Sequence, residues 1–145
     1  SGLALVSGGL DFAPSEQVER FVQGLRHAFE PTIEAFVQIA IPEDRTGRFQ
    51  RWLSNIIART GGERAAVLVE SFYSIDVRPR LVELTMPTVV IHGELDGLPT
   101  SPLSAAEEMA DLISGAKLIV LPDTGHVPTL TRPEAVAEAI IKLIQ

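Results

Sequence analysis

The chain has 145 residues, the size of one domain, and 46% of them are hydrophobic against 21% charged, a balance that packs a core and excludes a disordered chain. With 12 Lys and Arg against 19 Asp and Glu the formal net charge is -7, and an acidic chain without a basic block is a poor match to nucleic acid or an anionic membrane surface. Cysteine is absent and no apolar run approaches the roughly 20 residues that span a bilayer. Disulfides, thiol catalysis and Cys-ligated zinc are thereby excluded, and the expectation is a soluble protein of a reducing, cytoplasmic compartment.

Leu3-Ala4-Leu5-Val6-Ser7, closed by Gly8-Gly9, is a continuous apolar run and predicts a strand buried on both faces. Residues from about 15 to 75 read as helical. Ser15 is an N-cap before a helix whose Val18, Phe21, Val22 and Leu25 share one face. Pro31 opens a second helix, Thr32 to Ile41, ended by Pro42. Phe49, Trp52, Leu53, Ile56 and Ile57 form one stripe of a third, Gly47 to Thr60. A fourth, Glu63 to Ser74, follows the Gly61-Gly62 break. After a short helical turn, Arg78 to Leu84, the pattern changes to strand and helix in alternation. Thr88 to His92 and Lys117 to Leu121 are the strands. Leu103, Ala106, Met109, Ala110 and Ile113 mark the intervening helix. Pro133 opens the last one, with Val136, Ala139, Ile140 and Leu143 inward. Strands joined by helical crossovers make a parallel sheet, so the fold class is α/β with three parallel strands. The divisions are 1–10 for the first core strand, 11–85 for the helical block and 86–145 for the rest of the core.

In open α/β sheets the functional groups lie in loops at the carboxyl ends of strands. The loop after the first strand holds Ser7, Gly8, Gly9 and Asp11. Asp96 lies in the loop after the second, and the loop after the third, Pro122 to Thr131, holds His126. If the strands pair in order, Asp96 and His126 share one sheet edge, and the carboxylate is expected to accept a hydrogen bond from the imidazole. That pair is the orienting half of a nucleophilic triad, in which the acid fixes the tautomer and the base takes the nucleophile's proton. An Asp before Gly is also a common turn residue, and the bare pair leaves both readings open.

The stretch Met86-Pro-Thr-Val-Val-Ile-His-Gly-Glu-Leu-Asp96 resembles the segment that carries the triad acid in α/β-hydrolases, and Leu121-Pro-Asp-Thr-Gly-His126-Val-Pro-Thr-Leu-Thr-Arg-Pro-Glu-Ala-Val resembles that family's histidine loop and last helix. Leu3 to Ser7 is similar to the sixth strand of the family's sheet, and Asp11 to Thr85 falls where these enzymes insert a lid. The Phe29 to Phe36 region is similar to small-ester carboxylesterases and enol-lactonases. Thr131 stands where many relatives carry a structural Glu. The resemblance implies a partial α/β-hydrolase fold and hydrolysis of carboxylic esters or lactones by serine-type acyl transfer, with Asp96 as acid, His126 as base and no cofactor. Metal-ligand spacing is lacking among the His, Asp and Glu residues.

The family's Gly-x-Ser-x-Gly nucleophile elbow has no counterpart among this chain's serines. Five strands and the elbow are therefore expected upstream of residue 1, and the chain alone is expected to be inactive, Ser7 being the first serine to test otherwise. Two rivals stand beside this reading: a non-catalytic binding module that self-associates, and a relative with another nucleophile, such as the Asp of dehalogenases. His92 reads as structural, His27 as solvent-facing, and Trp52, Phe49 and Phe21 as helical-block core, with room for one or two of them in the wall of an acyl pocket. Asp11 matches an alternative acid position of some relatives, and Tyr73 is the only tyrosine, so the paired lid tyrosines of epoxide hydrolases are absent. The expected partners are a small-molecule ester or lactone and, through the edge of Leu3–Ser7, a second copy of the chain.

Overall fold

The computed structural model describes all of residues 1–145. Three parallel strands, β1 (Leu3–Val6), β2 (Thr88–Gly93) and β3 (Lys117–Leu121), pair in the order of the sequence, with Leu3 opposite Thr88 and Val89 opposite Lys117. Between β1 and β2 run α1 (Glu16–His27), α2 (Phe29–Ala40), α3 (Arg48–Ala58), α4 (Gly62–Glu70) and the single turn α5 (Arg78–Leu81). The crossover from β2 to β3 is α6 (Leu103–Leu112), and β3 is followed by α7 (Pro128–Thr131) and α8 (Pro133–Ile144).

Every residue of β2 is buried, as its unbroken apolar run requires. Its alternation splits the core in two. Val90 faces Leu10, Ala106, Met109 and Ile113 on the α6 side, while Val89 and Ile91 face Val136 and Ala139 of α8. β1 obeys the same period, with Leu5 toward α6 and Ala4 and Val6 toward α8. It is only half-buried, not covered on both faces as its sequence predicts, because its outer edge has no neighbouring strand.

The helical block has its own core, in which Val22 and Leu25 of α1 meet Ile33 and Val37 of α2 and Ala65 and Ala66 of α4. Ser15 caps α1 as expected, its hydroxyl accepting from Val18 N–H at 3.3 Å. Ala40 and Ile41 pack on Leu98 with Phe49, Val127 and Leu130 around them, which seats the block on the loops above the sheet. At its root Asp11 and Asp76 form an antiparallel bridge, and Arg78 reaches Asp11 at 3.3 Å, Asp76 at 3.2 Å and Glu108 of α6 at 2.8 Å.

Some expectations are corrected. Only Phe49, Leu53 and Ile57 of the α3 stripe turn inward. Trp52 is 53% exposed and Ile56 is also exposed, because α3 lies on its neighbours along one narrow seam. Ile140 of α8 is likewise exposed, since the sheet is too narrow to cover both apolar flanks of that helix. The fourth helix stops at Glu70 and continues as turns, and the loop after β3 contains the one-turn α7, opened by Pro128. No helix is long and apolar enough to cross a membrane.

The start of α3 has no side-chain cap of its own, because Gly47, in the left-handed region at φ 65°, precedes it. Asp44 supplies the acceptor instead. Its Oδ2 takes the N–H groups of Phe49 and Gln50 at 2.6 and 3.0 Å, and its Oδ1 takes the Thr46 hydroxyl at 3.0 Å. Burial pushes the Asp44 carboxyl up, but these donors outweigh it and hold it below the usual carboxylate range. Its stabilising contribution is therefore full above the unfolded carboxylate's pKa and fades as pH falls through the lower folded one. Asp44→Ala is expected to cost about 1 kcal/mol at neutral pH. In urea denaturation the gap from the parent chain narrows once both are measured in strong acid.

Candidate active site

The parallel register of β2 and β3 ends with Gly93 opposite Leu121, so the two following loops leave the sheet side by side. Backbone bonds lock them together, Glu94 N–H to Leu121 O at 3.0 Å and Leu95 N–H to Thr124 O at 2.8 Å. Gly93 is required at this crossing, since a Cβ there would overlap the carbonyl oxygens of Gly125 and Thr124.

The loops bring together the two residues singled out from the sequence. His126 Nδ1 lies 2.7 Å from Asp96 Oδ2. A carboxylate accepts and does not donate, so the proton sits on Nδ1 and the lone pair on Nε2. Asp96 has no exposed side-chain surface, whereas the His126 side chain keeps 28% of its own. The other Asp96 oxygen, Oδ1, accepts from Leu98 N–H at 3.1 Å. The Ser101 hydroxyl, itself buried, donates to Asp96 Oδ2 at 3.2 Å and stands 3.1 Å from His126 Nδ1. The carboxylate is thus held from three sides, as a buried anionic group requires.

His92, one residue before the end of β2, lies beneath this pair. Its ring is fully buried, neither nitrogen has a hydrogen-bond partner, and Nε2 is 3.5 Å from Asp96 Oδ2. Burial holds the imidazole below its usual range, against the pull of the Asp96 carboxylate.

His126 opens onto a cavity of about 910 Å³ between α1, α2, α4 and the loop Gly97–Thr100. Its wall is predominantly apolar, with Phe12, Phe21, Phe36, Phe72 and Tyr73 among the lining side chains. Phe21 is therefore a wall residue as well as a packing one, its ring centroid 5.4 Å from that of Phe36. Burial raises the Tyr73 phenol above its ordinary value, and Glu70 and Glu19 add to the effect. An imidazole oriented by a buried carboxylate and open at Nε2 can take a proton from a hydroxyl presented in that cavity and return it to a leaving group.

The remaining candidates lie elsewhere. Asp11 accepts from Ala13 N–H at 2.8 Å, and this backbone donor, with Arg78 beside it, holds its carboxyl below the usual range. His27 is exposed at the end of α1. Ser7 has a positive φ of 49° at the end of β1, and its hydroxyl oxygen is buried without any partner, so it does not meet His126. Phe49 of α3 packs on the cluster of Ala40, Ile41 and Leu98, outside the cavity wall. Two residues of the site carry no signal in their own segments. Ser101 is one serine among several before a helix. Glu43 accepts from Gly125 N–H at 3.0 Å and from the Thr131 hydroxyl at 2.7 Å.

A model of the alpha/beta hydrolase family matches residues 2–139. The chain is 26% identical over 132 residues to the pimeloyl-(acyl-carrier protein) methyl ester esterase of Pectobacterium atrosepticum, covering 88% of this chain and 51% of that protein. It is 30% identical over 132 residues to the enzyme of the same name from Aromatoleum aromaticum, covering 88% and 52%. The chain thus spans about half the length of the curated relatives it matches. Among solved structures, an esterase from Exiguobacterium antarcticum superposes with a TM-score of 0.87 at 19% identity, over 100% of this chain and 57% of that one. The enol-lactonase from Burkholderia xenovorans LB400 superposes at 0.83 and 19% identity, over 99% and 56%. With the partial fold, three parallel strands and flanking helices, matched over almost its whole length, the chain belongs to the alpha/beta hydrolase family.

Proposed function

We propose that the protein hydrolyses carboxylic esters or lactones by serine-type acyl transfer, with Asp96 orienting His126 and His126 moving the proton at Nε2. The observation that carries this reading is the 2.7 Å bond from His126 Nδ1 to a fully buried carboxylate, with the ring open to an apolar cavity. In this scheme the nucleophilic hydroxyl gives its proton to Nε2 as it attacks the carbonyl, the alcohol leaves with that proton, and water repeats the sequence to free the acid. The names of the relatives, methyl ester esterases, an esterase and an enol-lactonase, support an ester or lactone as substrate. The aromatic wall favours an apolar acyl group. The helical block over 11–85 acts as the lid of this site, and the cysteine-free composition suits a cytoplasmic place of work.

No Gly-x-Ser-x-Gly pattern occurs in these 145 residues, so the nucleophile and the oxyanion donors are assigned to a segment outside this sequence. The chain alone is expected to show no saturable hydrolysis of a p-nitrophenyl ester. Joined behind the nucleophile-bearing half of one of the esterases named above, it restores turnover, and His126→Ala then lowers kcat by about 10⁶-fold and Asp96→Asn by about 10⁴-fold. Saturable activity of the chain alone, abolished by His126→Ala, would mean that a nucleophile lies within it and would overturn the assignment.

The free edge of β1 favours a second property of the isolated chain. Its N–H and C=O groups are paired to β2 on one side only, beside the half-buried Ala4, Leu5 and Val6. Taken alone, the chain pairs β1 antiparallel with its own copy about a twofold axis, the same edge that takes up a further strand in the joined protein. Sedimentation at micromolar concentration is expected to show a dimer that Val6→Lys dissociates, and a monomer unaffected by that change rules the pairing out.

A further inference from the structure

The imidazole of His126 is aimed by Asp96, but its backbone is held by the helical block. His126 N–H donates to the carbonyl of Ala40, the last residue of α2, at 2.8 Å. That carbonyl is one of those a helix leaves unpaired at its C-terminus. One residue earlier, Gly125 N–H donates to Glu43 Oε1 at 3.0 Å, and Thr131 at the end of α7 donates its hydroxyl to the same oxygen at 2.7 Å. A single carboxylate oxygen therefore gathers donors from both ends of the histidine loop, across 82 and 88 residues of sequence.

Two details indicate that this contact is built for position. Gly125 admits no side chain, because a Cβ there would come to 2.6 Å from Pro42 Cδ and 2.9 Å from Glu43 Oε2 and would press on the Ala40 carbonyl. The second oxygen, Glu43 Oε2, is buried with no partner, a cost that simple packing would not retain. Thr131 completes the arrangement. Its hydroxyl and the Gly125 N–H share Glu43 Oε1, so the carboxylate of the α2–α3 segment ties the histidine loop at both ends.

We propose that Glu43 is a positioning residue for His126. It fixes the Gly125–His126 backbone so that Nδ1 stays on Asp96 while Nε2 faces the cavity, and it makes the C-terminal end of α2 a fixed part of the acid–base site. The proposal rests on the reading of His126 as the proton carrier, but its structural half can be measured without substrate.

The test is NMR of the chain itself, with two readouts, hydrogen exchange at the Gly125 and His126 amides and the downfield Nδ1–H resonance of His126. Glu43→Ala is expected to speed exchange at both amides by at least about tenfold and to broaden the Nδ1–H signal. Glu43→Gln keeps a carbonyl acceptor and leaves both close to the parent. Adding Thr131→Glu to Glu43→Ala brings both back. Where Glu43→Ala does not fold, that second variant decides alone, since recovery of fold and signal supports the proposal and failure to recover them overturns it. Unchanged exchange and an unchanged Nδ1–H signal in a folded Glu43→Ala chain also overturn it. So does a loss that merely follows global melting, with no recovery from Thr131→Glu. Failure of the hydrolase reading appears differently, as a joined protein without turnover whose chain keeps the Glu43-dependent signals. Turnover that Glu43→Ala leaves intact, with both NMR readouts unmoved, removes the positioning role alone.

Discussion

A carboxylate with no access to water must be met by donors, and the buried Asp96 imposes that condition on everything near it. Its donors come from separate places: Leu98 N–H and the Ser101 hydroxyl from its own loop, and His126 from the loop after the next strand. They converge only if β2 and β3 run parallel and end level, which in turn needs a glycine at the crossing of the two loops. The neighbouring His92, sealed from solvent and held by burial below its usual range, adds little positive charge near this carboxylate at neutral pH. The imidazole of His126 is then the group best placed to share a proton with it.

The apolar packing serves the same geometry from a distance. α6 and α8 clamp β2 from opposite faces through Met109, Ile113, Val136 and Ala139, so the strand that delivers Asp96 has little freedom to shift. The helical block touches the core in two regions, at its root around Arg78 and at the loops around Ala40, Ile41 and Leu98. The cavity lies beside them, with a wall of helix and a floor of loop. Its shape therefore depends on how α1, α2 and α4 hold together, through Val22, Leu25, Ile33 and Ala66.

The strands and the major helices were legible because their apolar residues repeat with periods that the backbone imposes. Thr88 to His92 can hardly be anything but a buried strand, and Val18, Val22 and Leu25 fall on one helical face. Asp96 and His126 were legible for a topological reason, since each follows a strand in a sheet whose order is the order of the chain. Trp52 and Ile140 were misread because periodicity tells which residues share a face and not how wide a partner that face will meet. Ser101 and Glu43 were illegible in their own segments, since both act through contacts that exist only once distant segments have met. In Glu43 the partners are more than eighty residues away.

The bridge between Asp11 and Asp76 has an architectural consequence. The helices from α1 to α4 leave the core and return to it at one point, where the entering and departing strands of chain are hydrogen-bonded to each other and clasped by Arg78. To the sheet, everything between those two aspartates is equivalent to a closed loop, whatever its length. Such a loop can be lengthened, shortened or exchanged for a different set of helices without altering the register of β1 on β2, so a core of this kind can change what it accommodates, provided the replacement still offers the histidine loop the acceptors that Ala40 and Glu43 supply here.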